Sequence, residues 1–285
     1  MSFGVNETIG DFECLGIIEK PRVGLTYKVR NRRTGEIESL RALSGAAVDD
    51  PEAVERLLRE IRIQARLTHP NLIGFHDAFL LDGHVVMTTD YVDGTTLAEY
   101  CAAGPLDPGD AVRVLLAVLN GLADAHDLGI AHRGITADHV IFCSDGLVKL
   151  GGFDAAKASS DANLTKVGAV IGDPRYISPE QVAGKHADMR SDIYSLGVVL
   201  FLALTGTTPF TGKTDFEVLS KQLKAAPPRP SSINPTVPSA VEALVLKALA
   251  KKPEDRFEGS AAFFHALFAA APPADLAVGA EIEVN

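Results

Sequence analysis

From Phe12 to Leu43 apolar residues alternate with polar ones, and Thr34-Gly35 interrupts the alternation. A period of two broken by a turn signal predicts β-strands, because successive side chains of a strand point to opposite faces. The spacing then lengthens. Asp50-Pro51 has the chemistry of a helix start, and Leu57, Leu58, Ile61 and Ala65 follow as an apolar stripe at helical spacing. Asp82-Gly83 predicts a hairpin between two further strands. After that, helical periodicity dominates. Val112, Leu115, Leu119 and Leu122 share one face of a helix expected over Ala111–His126, and Asp192–Gly206 reads as a buried helix closed by a glycine stop. Ser239 and Glu242 have the spacing of a capping box ahead of another apolar helix. There is no internal repeat and no sustained heptad.

Composition narrows this picture only modestly. A chain of 285 residues with 46% hydrophobic content can bury a substantial core, as one large or two small domains. The net charge of −10 disfavours a nucleic-acid partner, since a phosphate backbone calls for a basic surface; solubility is the plainer meaning of that charge. Cys14, Cys101 and Cys143 show no metal-ligand or disulfide spacing and suit a reducing cytoplasm. The start, Met1-Ser2-Phe3-Gly4, lacks the basic and apolar regions of a signal peptide. The longest apolar run, Ile193–Leu204, is interrupted by Ser195 and is too short to span a bilayer. A cytoplasmic location and no membrane segment are therefore expected. Beyond Ala271 the residues are mostly Pro, Ala and other small types, as in a tail or linker.

Several ordered motifs carry more information. Ile130-Ala131-His132-Arg133-Gly134 leads through Thr136 and His139 to Ile141, and Val148-Lys149-Leu150-Gly151-Gly152-Phe153-Asp154 follows. Upstream stand Gly24, Arg41, Glu60 and Thr89-Asp90-Tyr91-Val92; downstream stand Ser178-Pro179-Glu180, Asp192 and Lys252-Pro253-Glu254-Asp255-Arg256. Over roughly residues 10 to 268 this series resembles the Hanks-type Ser/Thr protein kinase domain, in a style that looks bacterial. The resemblance implies an α+β, bilobal fold, with a small β-sheet N-lobe carrying one long helix and a mainly helical C-lobe. It implies an extension over 1–9, an N-lobe over 10–89, a hinge over 90–94, a C-lobe over 95–270 and a tail or linker over 271–285.

The same resemblance marks what is absent. The family's catalytic loop reads H-R-D-L-K-x-x-N and its metal motif D-F-G; the aspartate of the first accepts the substrate proton, and the asparagine and the second aspartate hold magnesium. Here Gly134, Thr136, His139 and Gly152 occupy the base, loop-lysine and two metal-ligand positions, while His132, Arg133 and Phe153 are kept. Arg41 replaces the strand lysine, and its planar fork is no isostere of an ammonium. Of three expected loop glycines only Gly24 is present, with Glu19 and Pro21 at the other two positions. Thr26 and Ser39 stand where apolar residues sandwich adenine, opposite Ile141; Gln64 replaces an apolar helix residue expected over Phe153; Asp173 replaces the threonine of a G-T-P triplet.

Glu60 has two open readings, an ion pair with Arg41 or a solvated helix glutamate. Asp154 lies two residues after Gly152, and in extended backbone its carboxylate would face the same side; Asp138 is a further local carboxylate. The simpler reading of both is ordinary loop aspartates, and it is favoured. Ser159, Ser160 and Thr165 could be phosphorylated by another kinase, with Arg133 receiving the phosphate; ordinary exposed-loop hydroxyls are the simpler reading, and it is favoured. The resemblance, with its losses, implies a pseudokinase: no catalytic residue, no metal, no cofactor expected, and a protein partner such as an active kinase or the rest of the parent chain. Glu180, Asp192 and Arg256 join His132, Arg133 and Phe153 as structural supports. The competing reading is a nucleotide-binding sensor or an atypical transferase using Asp154, with ATP and magnesium left open and with Arg41, Glu60, Thr89, Tyr91, Val92 and Ile141 as its binding residues.

Overall fold

The structure, a computed structural model, describes residues 4–19, 24–43, 45–81, 83–158 and 172–271. The described residues divide into two units, one of those within 1–69 and 73–93, the other of 70–72 and those from Gly94 onward.

Among the described residues, the first unit is a six-stranded antiparallel sheet with one α-helix and a 3-10 turn at Gly45–Val48. Its strands are β1 (Thr8–Ile9), β2 (Phe12–Glu19), β3 (Leu25–Asn31), β4 (Ile37–Ala42), β5 (Phe75–Leu81) and β6 (His84–Asp90), in the order β1-β2-β3-β4-β6-β5. The alternation in the sequence is the cause: Tyr27 and Val29 of β3 and Leu40 and Ala42 of β4 turn to one face and join Ile9, Phe12, Cys14 and Val86 in a single cluster. Gly35, at φ +81°, closes the turn between β3 and β4, where the Asn31 side chain accepts from the Arg33 and Thr34 amides. Gly83, at φ +82°, lies in the β5–β6 turn; Asp82 is outside the described residues.

Helix α1 (Pro51–Gln64) starts where expected, with the Asp50 carboxylate accepting from the Glu52 amide and Pro51 in the first turn. Its buried face differs from the predicted stripe: Ala53, Leu57, Glu60, Ile63 and Gln64 are buried, and Ala65 is an exposed C-cap. The face turns because Glu60 and Gln64 are polar residues with partners indoors, which a hydrophobicity pattern scores as outward-facing.

The second unit comprises β7 (Gly94–Thr96), α2 (Leu97–Ala102), α3 (Pro108–Asp127), β8 (Ile130–Ala131), β9 (Val140–Cys143), β10 (Val148–Leu150), β11 (Lys157–Ala158), α4 (Pro179–Val182), α5 (Met189–Thr205), α6 (Asp215–Lys224), α7 (Ser239–Ala248) and α8 (Ser260–Ala270). Residues 70–72 belong with it because the Asn71 side chain donates to the Val148 carbonyl (2.8 Å), the Leu150 amide donates to Asn71 O (2.8 Å) and Leu72 bridges to Leu150. α3 begins three residues before the predicted Ala111, since Asp107 caps it and Pro108 opens it. α5 is buried along nearly its whole length, starts three residues before Asp192 on the cap Asp188, and ends at Gly206 in the left-handed region at φ +73°. Gly197 lets α7 approach: a Cβ there would lie 2.9 Å from the Ala248 Cβ.

The capping box predicted from Ser239 does not form. Ser239 is already inside α7, Pro238 is the N-cap, and the Glu242 carboxylate instead accepts from the Ser231 amide (2.9 Å) and pairs with Arg229 (3.0 Å). Boxes of that type occur at Thr96/Glu99 on α2 and Ser178/Gln181 on α4. Among the described residues no helix is long and apolar enough to cross a membrane.

Candidate functional site

In the second unit the site is built on the loop between β8 and β9. The Asp192 carboxylate, in the first turn of α5, accepts from the amides of His132 (2.8 Å) and Arg133 (2.7 Å) and from Nε2 of His126 (3.0 Å). Two amides aimed at one carboxylate require a sharp backbone path, and Arg133 takes it at φ +66°, a conformation that a non-glycine residue keeps only where its surroundings hold it. Because a carboxylate only accepts, His126 donates through Nε2, and its Nδ1 is left to accept from Ser260 Oγ (3.0 Å) at the start of α8.

His132 is fully buried. Its Nε2 donates to the Gly151 carbonyl (2.8 Å), its Nδ1 accepts from the Gly134 amide, and its ring packs 4.4 Å from the Phe153 ring. Burial pushes its pKa down to about 4, against the opposing charge of Asp192, so the ring is neutral at ordinary pH. These contacts tie His132 and Phe153 to one another and to the backbone of Gly134 and Gly151.

Three positions that depart from the family pattern meet beside them. Nδ1 of His139 donates to the Gly134 carbonyl (2.7 Å), and the Gly151 amide donates to the His139 carbonyl (2.9 Å). Gly152 lies under the His139 ring: a Cβ added there would be 2.5 Å from Cδ2 and 2.6 Å from Cγ and Nε2. Thr136 is buried, and Asp138 is exposed, its charge felt by Arg175 and Tyr176. Asp154 is exposed, and Phe153–Ala155 form a 3-10 turn. The same-side argument for Asp154 needs an extended segment, so its premise does not hold.

Magnesium, which the family pattern places here, does not fit this donor set. It asks for oxygen ligands in octahedral array, whereas position 152 offers no side chain and position 139 an imidazole. Among the described residues no three His, Cys, Asp or Glu side chains converge as a metal site.

In the first unit Arg41 and Glu60 form an ion pair at 2.8 Å, and Gln64 donates to the same Glu60 oxygen at 3.2 Å. Of the two readings of Glu60, the paired one is therefore the one present. Gly24 has a backbone reason to be glycine: at φ +98° a Cβ would lie 2.5 Å from the Ala42 carbonyl oxygen. Pro21 is outside the described residues. Thr26 and Arg41 are register partners across β3 and β4, and Ser39 partners Thr89 across β4 and β6. Lys28 Nζ stands 4.0 Å over the Tyr91 ring, and Val92 is partly buried. Ile141 belongs to the second unit, paired with Lys149 and Thr96.

The supports further along are ordered by charge. Glu180 receives both guanidinium nitrogens of buried Arg256 at 2.7 Å, and Ser191 Oγ also donates to it at 2.7 Å. Burial alone would raise the Glu180 carboxyl, but Arg256 and Ser191 outweigh it and hold the group below its usual range. Arg133 donates to the Ala187 carbonyl (2.6 Å), and Asp173 binds Arg175 through both of its oxygens. Ser159, Ser160 and Thr165 lie outside the described residues.

Sequence reasoning took His139 as a lost ligand and missed that its ring fills space. The available signal was volume: a large ring gained at 139 beside two side chains lost at 134 and 152. His126 and Ser260 were missed altogether, since neither belongs to a motif.

Comparison with known proteins agrees with this architecture. The family profile of the protein kinase domain matches residues 14–268. The chain is 38% identical to serine/threonine-protein kinase PrkC of Bacillus subtilis over 250 residues, covering 87% of this chain and 39% of PrkC. It is 36% identical over 232 residues to serine/threonine-protein kinase PknL of Mycobacterium tuberculosis, covering 81% of this chain and 58% of PknL. The chain thus spans well under two thirds of these relatives. The crystal structure of the Mycobacterium tuberculosis PknI kinase domain superposes with a TM-score of 0.73 at 26% identity, over 95% of this chain and all of that one. A β-sheet N-lobe, a helical C-lobe and this ordered set of motifs make the chain a member of the protein kinase domain family, homologous to bacterial Ser/Thr kinases.

Proposed function

We propose that this domain is a pseudokinase, a kinase fold without phosphoryl-transfer activity that acts as a regulatory or scaffolding module through a protein partner, either an active kinase or the remainder of its parent protein. The observation that carries the reading is the His139 ring seated against Gly152 and hydrogen-bonded to Gly134, so that the base and both metal-ligand positions carry no carboxylate or amide. Phosphoryl transfer depends almost wholly on positioning and on charge stabilisation by metal and base. Loss of a base alone is worth about 10²–10⁴ in rate. Losing the metal ligands as well removes the charge stabilisation that the remaining steps need. Retention of the Glu180–Arg256 pair and of the Asp192 network supports selection for a folded surface rather than decay. Three free, buried thiols accord with a reducing, cytoplasmic setting.

Arg41–Glu60 favours a second reading, a nucleotide sensor, because this pair keeps a cation at the phosphate-contacting position of the family pattern. One experiment separates the readings: thermal shift of the purified protein with ATP, with and without magnesium or manganese, alongside transfer of labelled γ-phosphate to itself and to a generic substrate. No shift and no transfer are expected. A metal-independent shift without transfer selects the sensor, and transfer that disappears on Asp154→Asn or Asp138→Asn refutes the pseudokinase.

A further inference from the structure

The degenerate positions are coupled sterically. Relative to the family pattern, side chains are lost at 134 and 152 and a ring is gained at 139, and the three meet at one point. A Cβ on Gly152 would come within 2.5–2.6 Å of three ring atoms of His139, a separation at which one of the two must move. The ring is not a loose end. Its Nδ1 is bonded to the Gly134 carbonyl at 2.7 Å, its main-chain amide to Thr136 O at 3.2 Å and its carbonyl to the Gly151 amide at 2.9 Å. Rotating the ring clear breaks the first of these and empties the space it fills. The backbone at 152 is a smaller obstacle: φ is +79°, in the left-handed region that aspartate tolerates better than most residues.

We propose that His139 and Gly152 are an interlocked pair, in which the His139 imidazole occupies the place of the metal-binding aspartate side chain and bars its return. A carboxylate at 152 overpacks this fold while the ring stands at 139, and removal of the ring in the same molecule relieves it. The inference takes its meaning from the pseudokinase reading, but its test does not depend on activity.

The test is a double-mutant cycle on the whole chain, read by melting temperature: Gly152→Asp, His139→Asn and the pair together, with Gly152→Ala in both backgrounds to add a Cβ without charge. Overpacking of this kind predicts that Gly152→Asp alone lowers Tm by roughly 5 °C. In the His139→Asn background the same change is expected to cost less than half as much, because the clash with the ring is gone; backbone strain is common to both arms and cancels in the difference. Equal costs in the two backgrounds, a Gly152→Asp protein as stable as the parent, or loss of folding in both backgrounds overturns the interlock. Phosphate transfer by the unsubstituted protein would defeat the pseudokinase reading and would leave the melting-temperature result to decide the interlock separately.

Discussion

His132 shows what burial does to a single titratable group. The ring is enclosed by Asp192, His139 and Phe153, with both nitrogens engaged in the neutral form, and its pKa falls to about 4. In the unfolded chain the group titrates near 6.5, so between these values the unfolded state binds the extra proton and stability falls as pH falls. From pH 7 to pH 5 the expected loss is about 2 kcal/mol from this group. Glu180 acts in the same direction, but only lower, as pH drops through its depressed carboxyl range. Urea unfolding at several pH values, on the parent and on His132→Phe, measures the difference. Parallel slopes in the two proteins would remove His132 as the cause. At this scale the sequence was legible where identity decides chemistry: Gly134, His139 and Gly152 could be read directly as residues without a carboxylate. It was not legible where chemistry depends on what fills a space, as at His139, because the fit of a ring beside Gly152 depends on backbone angles that no motif encodes.

Helix ends show how a local signal can be overridden. Asp50 and Asp107 cap α1 and α3 through hydrogen bonds their sequence predicts or permits, whereas Ser239 and Glu242 have the right spacing and do not close a box. Glu242 fails to reach back because Ser231 and Arg229 already hold it. The consequence for stability is specific. Ser239→Ala is expected to change unfolding free energy by less than about 0.5 kcal/mol, since no cap is lost. Thr96→Ala, which removes a working box on α2, is expected to cost about 1 kcal/mol. Chemical denaturation of both variants tests the contrast, and equal costs would mean that the box on α2 contributes nothing. The buried face of α1 follows the same logic, since Glu60 and Gln64 point inward on account of Arg41, a partner 19 residues before Glu60. Strands and helices were therefore readable from periodicity, while the rotation of α1 and the cap of α7 were set by tertiary partners.

Across the whole molecule, each unit has the framework of the protein kinase fold, held by polar contacts as well as by its core. Glu180 and Arg256 are a buried pair, and removing either partner alone would leave a buried charge. The loop bearing His132 and Arg133 is held comparably, since its two amides end on Asp192, and Asp192 is linked through His126 to Ser260 of α8. The end of α3 and the loop just after it thus share one polar knot in the C-lobe with α5 and α8, which lie far along the chain. Such a knot cannot open a part at a time, because releasing either amide leaves the Asp192 carboxylate buried and short of donors. Amide hydrogen exchange gives this a measurable form. His132 and Arg133 should exchange only through global unfolding of their lobe, with protection equal to that of the α5 core, rather than through the local opening usual for loops. Faster exchange at those two amides than in α5 would show that the knot is weaker than its geometry. If protection is global, the loop bearing His132 and Arg133 is one of the last parts of the lobe to come apart.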